Sequence, residues 1–182
     1  MRRGTLCRCR RRDLIILQRR PRRDEFLAFG FGTGLAPRAP GTFGTLPGLV
    51  LAILLGWLAA LWGLPTGGVV FVALLLLMPF GVWLCGAASR RLGVHDHGGI
   101  VFDEIVGVLI PFLILPVTPI NLLWAFVWFR FFDVLKPWPI RWLDQKVDGG
   151  FGIMIDDVLA GFFALIALVL MSRWLPGWVQ IG

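Results

Sequence analysis

Cysteine, histidine and charged residues are all scarce in this sequence of 182 residues. The three cysteines, Cys7, Cys9 and Cys85, have the spacing of neither a zinc site nor a disulfide framework, which points to a reduced or membrane-embedded setting. Charged residues make up 16% of the chain, while hydrophobic residues make up 57%. That balance excludes an ordinary soluble domain and is typical of an integral membrane protein that forms one compact unit.

Positive charge is concentrated at the N-terminus. Residues 1–23 contain ten arginines and a single acid, Asp13, whereas the remainder contains eight basic and ten acidic residues. We therefore divide the chain into a tail, residues 1–24, that is predicted to be disordered, and a membrane-embedded domain, residues 25–182. The tail either holds its end of the protein in the cytoplasm, the commoner role, or binds anionic lipid headgroups. It lacks the motifs of nucleic-acid-binding proteins, so no nucleic acid partner is expected.

Five apolar stretches approach the roughly 20 residues that a helix needs to cross a bilayer. They predict an all-α, multi-helix membrane bundle with about four to five transmembrane helices and no internal repeats. The third stretch is short and contains Pro111, which indicates a tilted, broken or partly inserted segment. The predicted spans cover residues 46–64, 68–88, 104–117, 120–135 and 155–175.

The basic residues of the loops fall on one side of the membrane if all five stretches cross it. The loops concerned contain Arg90, Arg91, Lys136, Arg141 and Lys146. The opposite turns, near residues 64–68 and 117–120, contain no Lys or Arg, and Arg173 alone departs from the pattern. The positive-inside rule then places the basic loops, and the polar motifs beside them, at the cytoplasmic face. We expect the active site at that face.

A series of ionisable residues begins in the fourth stretch. Arg130, Asp133 and Lys136 are spaced by three residues, which places them along one stripe of a helix that the following proline ends. Arg and Lys together suit a phosphate group, because Arg can bind it through two N–H groups and Lys supplies a compact charge. A structural ion pair is the alternative, and the continuation of the series with Arg141 and Asp144 shifts the balance toward a binding site.

Two further groups of acidic residues lie where helices are expected to begin. Their members, with the histidine loop that precedes the first group, are His95, Asp96, His97, Asp103, Glu104, Asp156 and Asp157. The alternative to a binding role is that these acids only stabilise the first turn of a helix through its dipole. Intramembrane carboxylates are usually functional, and several that converge on one face suit Mg²⁺. Zinc held by the two histidines is the less favoured alternative, since carboxylates outnumber imidazoles.

Two other motifs have simpler interpretations. Cys85 and Arg91 match the C-x5-R spacing of cysteine phosphatases, but that chemistry needs a strand-to-helix loop, whereas this stretch is expected to end a helix. We interpret Cys85 as an inert buried thiol. Residues 30–45 are too rich in glycine and proline to continue a helix and are predicted to form a structured loop. This loop either brings backbone N–H groups and Thr33 near a phosphate or serves as a connector.

Five motifs occur in order along the chain: FGFGTGLAP at residues 29–37, PGTFGT at 40–45, VHDHGGIVFDE at 94–104, FRFFDVLKPWPIRWLD at 129–144 and GGFGIMIDD at 149–157. Together they resemble the phosphatidylglycerophosphatase A family over roughly residues 26–175. The resemblance implies an all-helical, Mg²⁺-dependent lipid phosphatase of the bacterial inner membrane. Such an enzyme is a phosphoric monoester hydrolase that converts phosphatidylglycerophosphate to phosphatidylglycerol and inorganic phosphate. The arginine tail departs from the family's pattern.

The residue patterns and the resemblance together assign three sets of residues. The expected Mg²⁺ ligands are Asp103, Glu104, Asp156 and Asp157. The expected phosphate ligands are Arg130, Lys136 and Arg141. The expected catalytic residues are His95, Asp96, His97 and Asp133. Attack on phosphorus comes from a water or from a carboxylate, and either histidine is suited to protonate the leaving glycerol oxygen.

Two other classes of protein use similar residues. A transporter or proton relay would employ the same carboxylates but distribute ionisable groups through the depth of the membrane. A lipid-binding protein without catalytic activity needs the basic residues but not six acids. The predicted clustering of charges at one face therefore favours an enzyme.

Overall fold

The computed structural model describes residues 23–36, 39–93, 98–175 and 178–179. Within these ranges the chain is almost entirely helical and contains no β-strand. The predicted tail, residues 1–24, lies outside the described residues apart from its last two positions. The α-helices in these ranges are α1 (Arg23–Ala28), α2 (Pro40–Trp62), α3 (Thr66–Leu92), α4 (Phe102–Gly107), α5 (Pro119–Leu135), α6 (Ile140–Lys146) and α7 (Gly149–Trp174). Short 3₁₀ helices lie at Gly30–Leu35 and Ile110–Leu113.

Three of the helices, α2, α3 and α7, are long and apolar enough to cross a membrane. Large apolar side chains cover the outer faces of α2 and α3, and Trp57, Leu61 and Leu76 are each more than 60% exposed. A surface of this kind is unfavourable in water and suits contact with lipid. The fold is an all-α bundle of a membrane protein, as the sequence predicts. The number of four to five transmembrane helices stays a prediction.

The stretch predicted at residues 104–117 is broken into two short helices. α4 ends at Gly107, and the following 3₁₀ helix contains Pro111, which lacks the N–H group that an α-helix uses. Three glycines of α2 face the broken segment in order, and the facing pairs are Gly44 with Val101, Gly48 with Ile105 and Gly56 with Val117. The segment therefore follows α2 in the same direction. Residues 99–112 are all buried, so the irregular backbone is enclosed by protein.

Glycines near the starts of α2 and α7 allow close helix packing and do not break the helices. A Cβ atom at Gly44 would overlap Val101, and one at Gly150 would overlap a carbonyl oxygen of α3. Pro40 occupies the first turn of α2, where its missing N–H group is not needed. The prediction of a loop over residues 30–45 is thus wrong for its last part, because α2 begins at Pro40.

The central helix of the bundle is α7, which contacts α3, α4, α5 and α6. Its first turns lie against the end of α3, where Gly86 meets Gly150. The start of α2 lies against α4 and α5, because Gly41 faces the side chains of Glu104 and Arg130. The ends of α3 and α5 therefore meet the starts of α2, α4 and α7. We call this end of the bundle the polar end.

Candidate active site

The four predicted metal ligands are buried at the polar end. Asp103 and Glu104 lie in the first turn of α4, and Asp156 and Asp157 lie in α7. Their exposed fractions are 8%, 9%, 7% and 3%, respectively. Buried carboxylates are costly unless cations or hydrogen-bond donors compensate them, so their neighbours define the site.

Arg130, in α5, contacts one carboxylate of α4 and one of its own helix. Its Nη1 atom lies 3.2 Å from Oε1 of Glu104 and 2.5 Å from Oδ2 of Asp133. The other carboxylate oxygen of Glu104, Oε2, accepts from the hydroxyl of Thr45 in α2, 2.9 Å away. That hydroxyl also lies 2.8 Å from the carbonyl oxygen of Gly41, so its single proton is shared between two acceptors. One polar network therefore joins α2, α4 and α5.

Lys136 links the end of α5 to α7. Its Nζ atom lies 2.6 Å from Oδ2 of Asp156. Lys136 follows the last residue of α5 and has a positive φ of 42°, which is uncommon for a residue with a Cβ atom. The prediction that Arg130, Asp133 and Lys136 share one helical stripe is therefore wrong for the lysine. The left-handed turn after α5 instead carries its ammonium group to α7.

The buried acids form one electrostatic group. Asp157 interacts with the carboxylates of Asp103, Glu104, Asp133 and Asp156. Among the described side chains, Arg130 contacts Glu104 and Asp133, and Lys136 contacts Asp156. Carboxylates that lie this close together repel each other when ionised, and a bound cation would relieve that repulsion. Oxygen donors are the ligands that Mg²⁺ prefers, so the donor chemistry fits this ion. In the described part of the chain, however, no three His, Cys, Asp or Glu side chains are close enough to form a ready-made metal cage.

Arg141, the third predicted phosphate ligand, lies on α6 and is exposed. It forms no ion pair with any side chain that the structure describes. A groove beside it is lined by Leu135, Lys136, Pro137, Trp138, Arg141 and Trp142. Lys136 therefore belongs to both the groove and the carboxylate site, whereas Arg141 faces the groove alone.

Three of the predicted catalytic residues, His95, Asp96 and His97, lie outside the described residues, and so does the side chain of Asp144. In the sequence, residues 95–97 fall between α3 and α4, and the adjoining ends of both helices lie at the polar end. The fourth predicted catalytic residue, Asp133, is the partner of Arg130.

The two acidic pairs differ in their position along their helices. Asp103 lies in the first turn of α4, as predicted, and its Oδ1 atom accepts from the backbone N–H of Glu104 at 3.0 Å. The sequence predicts Asp156 and Asp157 at a helix start, but α7 begins at Gly149 and places them about two turns inside the helix. The helix dipole acts mainly on the first turn, so it does not explain this second pair.

Thr45 is a site residue that the sequence analysis does not identify. It is fully buried, and its hydroxyl reaches Glu104 only because α2 already begins at Pro40. The feature of the sequence that could have identified Thr45 is its position as the last residue of the PGTFGT motif. Thr33, which one interpretation of the sequence places near a phosphate, donates to the carbonyl oxygen of Gly30 at 2.8 Å within its own turn.

The apolar helical bundle, with buried carboxylates and bridging cations at one end, defines the class of this protein as a membrane protein with an acidic site. The match to the family model described as phosphatidylglycerophosphatase A covers residues 26–172. The chain belongs to the phosphatidylglycerophosphatase A family. This result confirms the family that the motifs indicate. It also confirms the predicted enzyme class, because the family is one of phosphatases.

Three curated relatives extend over most of the chain. The phosphatidylglycerophosphatase A of Haemophilus influenzae is 47% identical over 83% of this chain and 90% of its own length. The protein of the same name from Escherichia coli is 42% identical over 84% of this chain and 85% of its own length. A Bacteroides thetaiotaomicron protein that is named as a candidate phosphatidylinositol-3-phosphatase is 38% identical over 81% of this chain and 92% of its own length. No solved structure matches the chain.

Cys85 lies inside α3 and is buried. The helix runs without interruption from Cys85 to Arg91, so this segment does not form the loop of N–H donors that a cysteine phosphatase requires. We expect the Cys85→Ser variant to retain at least about half of the wild-type phosphatase activity. Phosphate release and the thermal unfolding midpoint of both proteins should be measured together. An inactive variant with an unchanged midpoint would restore the cysteine mechanism.

Proposed function

We propose that this protein removes the terminal phosphate of phosphatidylglycerophosphate in a Mg²⁺-dependent reaction that yields phosphatidylglycerol and inorganic phosphate. The observation that carries the proposal is the group of buried carboxylates bridged by Arg130 and Lys136 at one end of a membrane bundle. The names of the Haemophilus and Escherichia relatives support this substrate. The Bacteroides relative is named for another lipid phosphomonoester, so the headgroup is a variable that the test must include.

Asp103, Glu104, Asp156 and Asp157 are the residues that we assign to Mg²⁺. An ion held there would supply positive charge next to the phosphate oxygens and would assist attack on phosphorus by water or by a carboxylate. Thr45 holds one oxygen of Glu104 and thereby limits the orientations that this carboxylate can adopt. The pairing of Asp156 with Lys136 orients a second carboxylate of the set in the same way.

Arg130 and Lys136 bind the phosphomonoester in this proposal. A guanidinium group has five N–H donors in a fixed plane, so Arg130 can keep its two carboxylate partners and still donate to a phosphate oxygen. Asp133 fixes the orientation of that plane through its 2.5 Å contact. His95 or His97 donates the proton that the leaving glycerol oxygen needs, since imidazole titrates near neutral pH.

The polar end is assigned to the cytoplasmic face of the bacterial inner membrane. Arg90 and Arg91 end α3 at this end of the bundle, and Lys146 ends the neighbouring helix α6. Arg173 lies at the far end of α7. This unequal distribution supports the assignment through the positive-inside rule, and the relatives are bacterial. The acyl chains of the substrate then remain in the bilayer while its headgroup enters the site.

Removal of the metal is the direct test of the proposal. Purified protein in detergent is mixed with phosphatidylglycerophosphate, and inorganic phosphate is measured with Mg²⁺, with a chelator and after Mg²⁺ is restored. We expect chelation to reduce the rate at least about 100-fold and added Mg²⁺ to recover it, because the ion neutralises the phosphate in the transition state. Phosphatidylinositol 3-phosphate, tested in parallel, should be the poorer substrate.

Three other outcomes would contradict the proposal in whole or in part. Full activity in the chelator would exclude a role for Mg²⁺. A folded protein that releases no phosphate from either lipid is not the enzyme proposed here. Ion flux across protein-containing vesicles that depends on Asp103 and Asp156 would instead support the transporter alternative.

A further inference from the structure

The groove between the end of α5 and α6 has a composition that the catalytic proposal does not use. Trp138 is 82% exposed, Leu135 is 60% exposed and Trp142 is 50% exposed. Lys146 lies over the ring of Trp142, with its Nζ atom 5.1 Å from the ring centre, and so supports that side chain. Exposed tryptophans next to basic residues are typical of the membrane–water interface, where lipid headgroups lie.

Two cations of the groove have different environments. Lys136 contacts Asp156 and therefore belongs to the carboxylate site as well. Arg141 forms no ion pair with a described side chain, and its guanidinium is exposed. A phosphate bound by Arg141 would thus lie beside the carboxylate site and not inside it, on the side where the apolar groove residues Leu135 and Trp138 also lie.

We propose that this groove binds the phosphodiester of the lipid whose phosphomonoester occupies the carboxylate site, with Arg141 as the diester ligand. The inference rests on the proposed function. A lipid of this kind carries two phosphates joined by one glycerol unit, and the phosphodiester is the one nearer to the acyl chains. Lys136 lies where the two binding regions meet, and the tryptophans contact the apolar part of the molecule. Arg141 therefore determines which headgroup is accepted and has no part in the chemical step.

Inhibition of the enzyme by two probes separates the two phosphate sites. Phosphatidylglycerol carries only the phosphodiester, and inorganic phosphate resembles only the group that is released. We expect Arg141→Ala to raise the KM for phosphatidylglycerophosphate and the inhibition constant of phosphatidylglycerol together by about tenfold, since one charge-assisted hydrogen bond is lost. The inhibition constant of inorganic phosphate and kcat should stay unchanged. Arg141→Lys keeps the charge but not the planar pair of donors, so its KM and its inhibition constant for phosphatidylglycerol should lie between those of the wild type and those of Arg141→Ala.

Arg173→Ala is the matched control, because Arg173 is also an exposed arginine but lies at the opposite end of the bundle. It should leave all four quantities unchanged. The inference is wrong if phosphatidylglycerol does not inhibit the wild-type enzyme, if Arg141→Ala alters neither inhibition constant, or if it raises only that of inorganic phosphate. The last result would place Arg141 on the phosphomonoester. A wild-type enzyme that does not hydrolyse phosphatidylglycerophosphate would refute the proposed function itself.

Discussion

The Asp103→Asn enzyme is expected to release phosphate from phosphatidylglycerophosphate at least about 100-fold more slowly than the wild-type enzyme. Asparagine has nearly the same size as aspartate, and its side-chain oxygen can still accept the backbone N–H of Glu104, now 3.0 Å away. The substitution therefore leaves the start of α4 intact and removes one negative charge from a position that is only 8% exposed. A Mg²⁺ ligand must supply that charge, whereas a helix-capping residue need not.

The dependence of the rate on Mg²⁺ concentration distinguishes a ligand from other roles. Loss of a ligand should raise the Mg²⁺ concentration that gives half of the maximal rate in Asp103→Asn, and Asp156→Asn should behave in the same way. Asp148→Asn is the matched control, because Asp148 is an exposed acid immediately before α7. A slow Asp103→Asn enzyme with wild-type Mg²⁺ dependence would remove this residue from the metal site. Wild-type rates in both variants would exclude the carboxylate set as a whole.

Arg130→Ala should cause the largest loss of stability among single substitutions at the site. The guanidinium contacts two carboxylates, and the side chains of all three residues are at most 18% exposed. Its removal leaves Glu104 and Asp133 without this cation in a region that water reaches poorly. Removal of one member of a buried ion pair typically costs about 3–5 kcal/mol, so we expect a clear fall in the thermal unfolding midpoint in detergent. Activity should also be lost, because Arg130 is a proposed phosphate ligand.

A second substitution separates these two effects. In Arg130→Ala/Asp133→Asn, one of the stranded carboxylates is removed, so part of the lost stability should return while activity remains absent. Arg173→Ala, at the far end of α7, should change the free energy of unfolding by no more than about 0.5 kcal/mol. A midpoint for Arg130→Ala equal to that of the wild type would show that the three charges do not stabilise the fold. Recovery of activity in the double variant would exclude Arg130 as a phosphate ligand.

Several features of the site were predictable because they depend on residue type and local spacing. Carboxylates are too costly beside lipid to occur there by chance, so Asp103, Glu104, Asp156 and Asp157 could be selected from the sequence. The pairing of Arg130 with Asp133 follows from a separation of three residues within one helix. Both features follow from residue type and local spacing, whichever helices are neighbours.

Other features depended on contacts between distant segments. The glycines before Asp156 predict a helix start at that point, but Gly150 lies inside α7, where the backbone of α3 passes too close for a side chain. At the start of α2, Gly41 likewise packs against the side chains of Glu104 and Arg130, and the helix that begins at Pro40 brings Thr45 to Glu104. Local propensity counts glycine against a helix, and only the packed neighbour reverses that preference.

The sequence by itself determined that this is a helical membrane protein, which residues carry its charge and which family it belongs to, since these follow from composition, local periodicity and ordered motifs. The tertiary structure alone decided that Lys136 turns away from α5 to meet Asp156, that Glu104 is held between Thr45 and Arg130, and that Arg141 faces a separate groove. Those partners are set by the close approach of helices that are far apart in the chain, and spacing within one segment carries no information about such an approach.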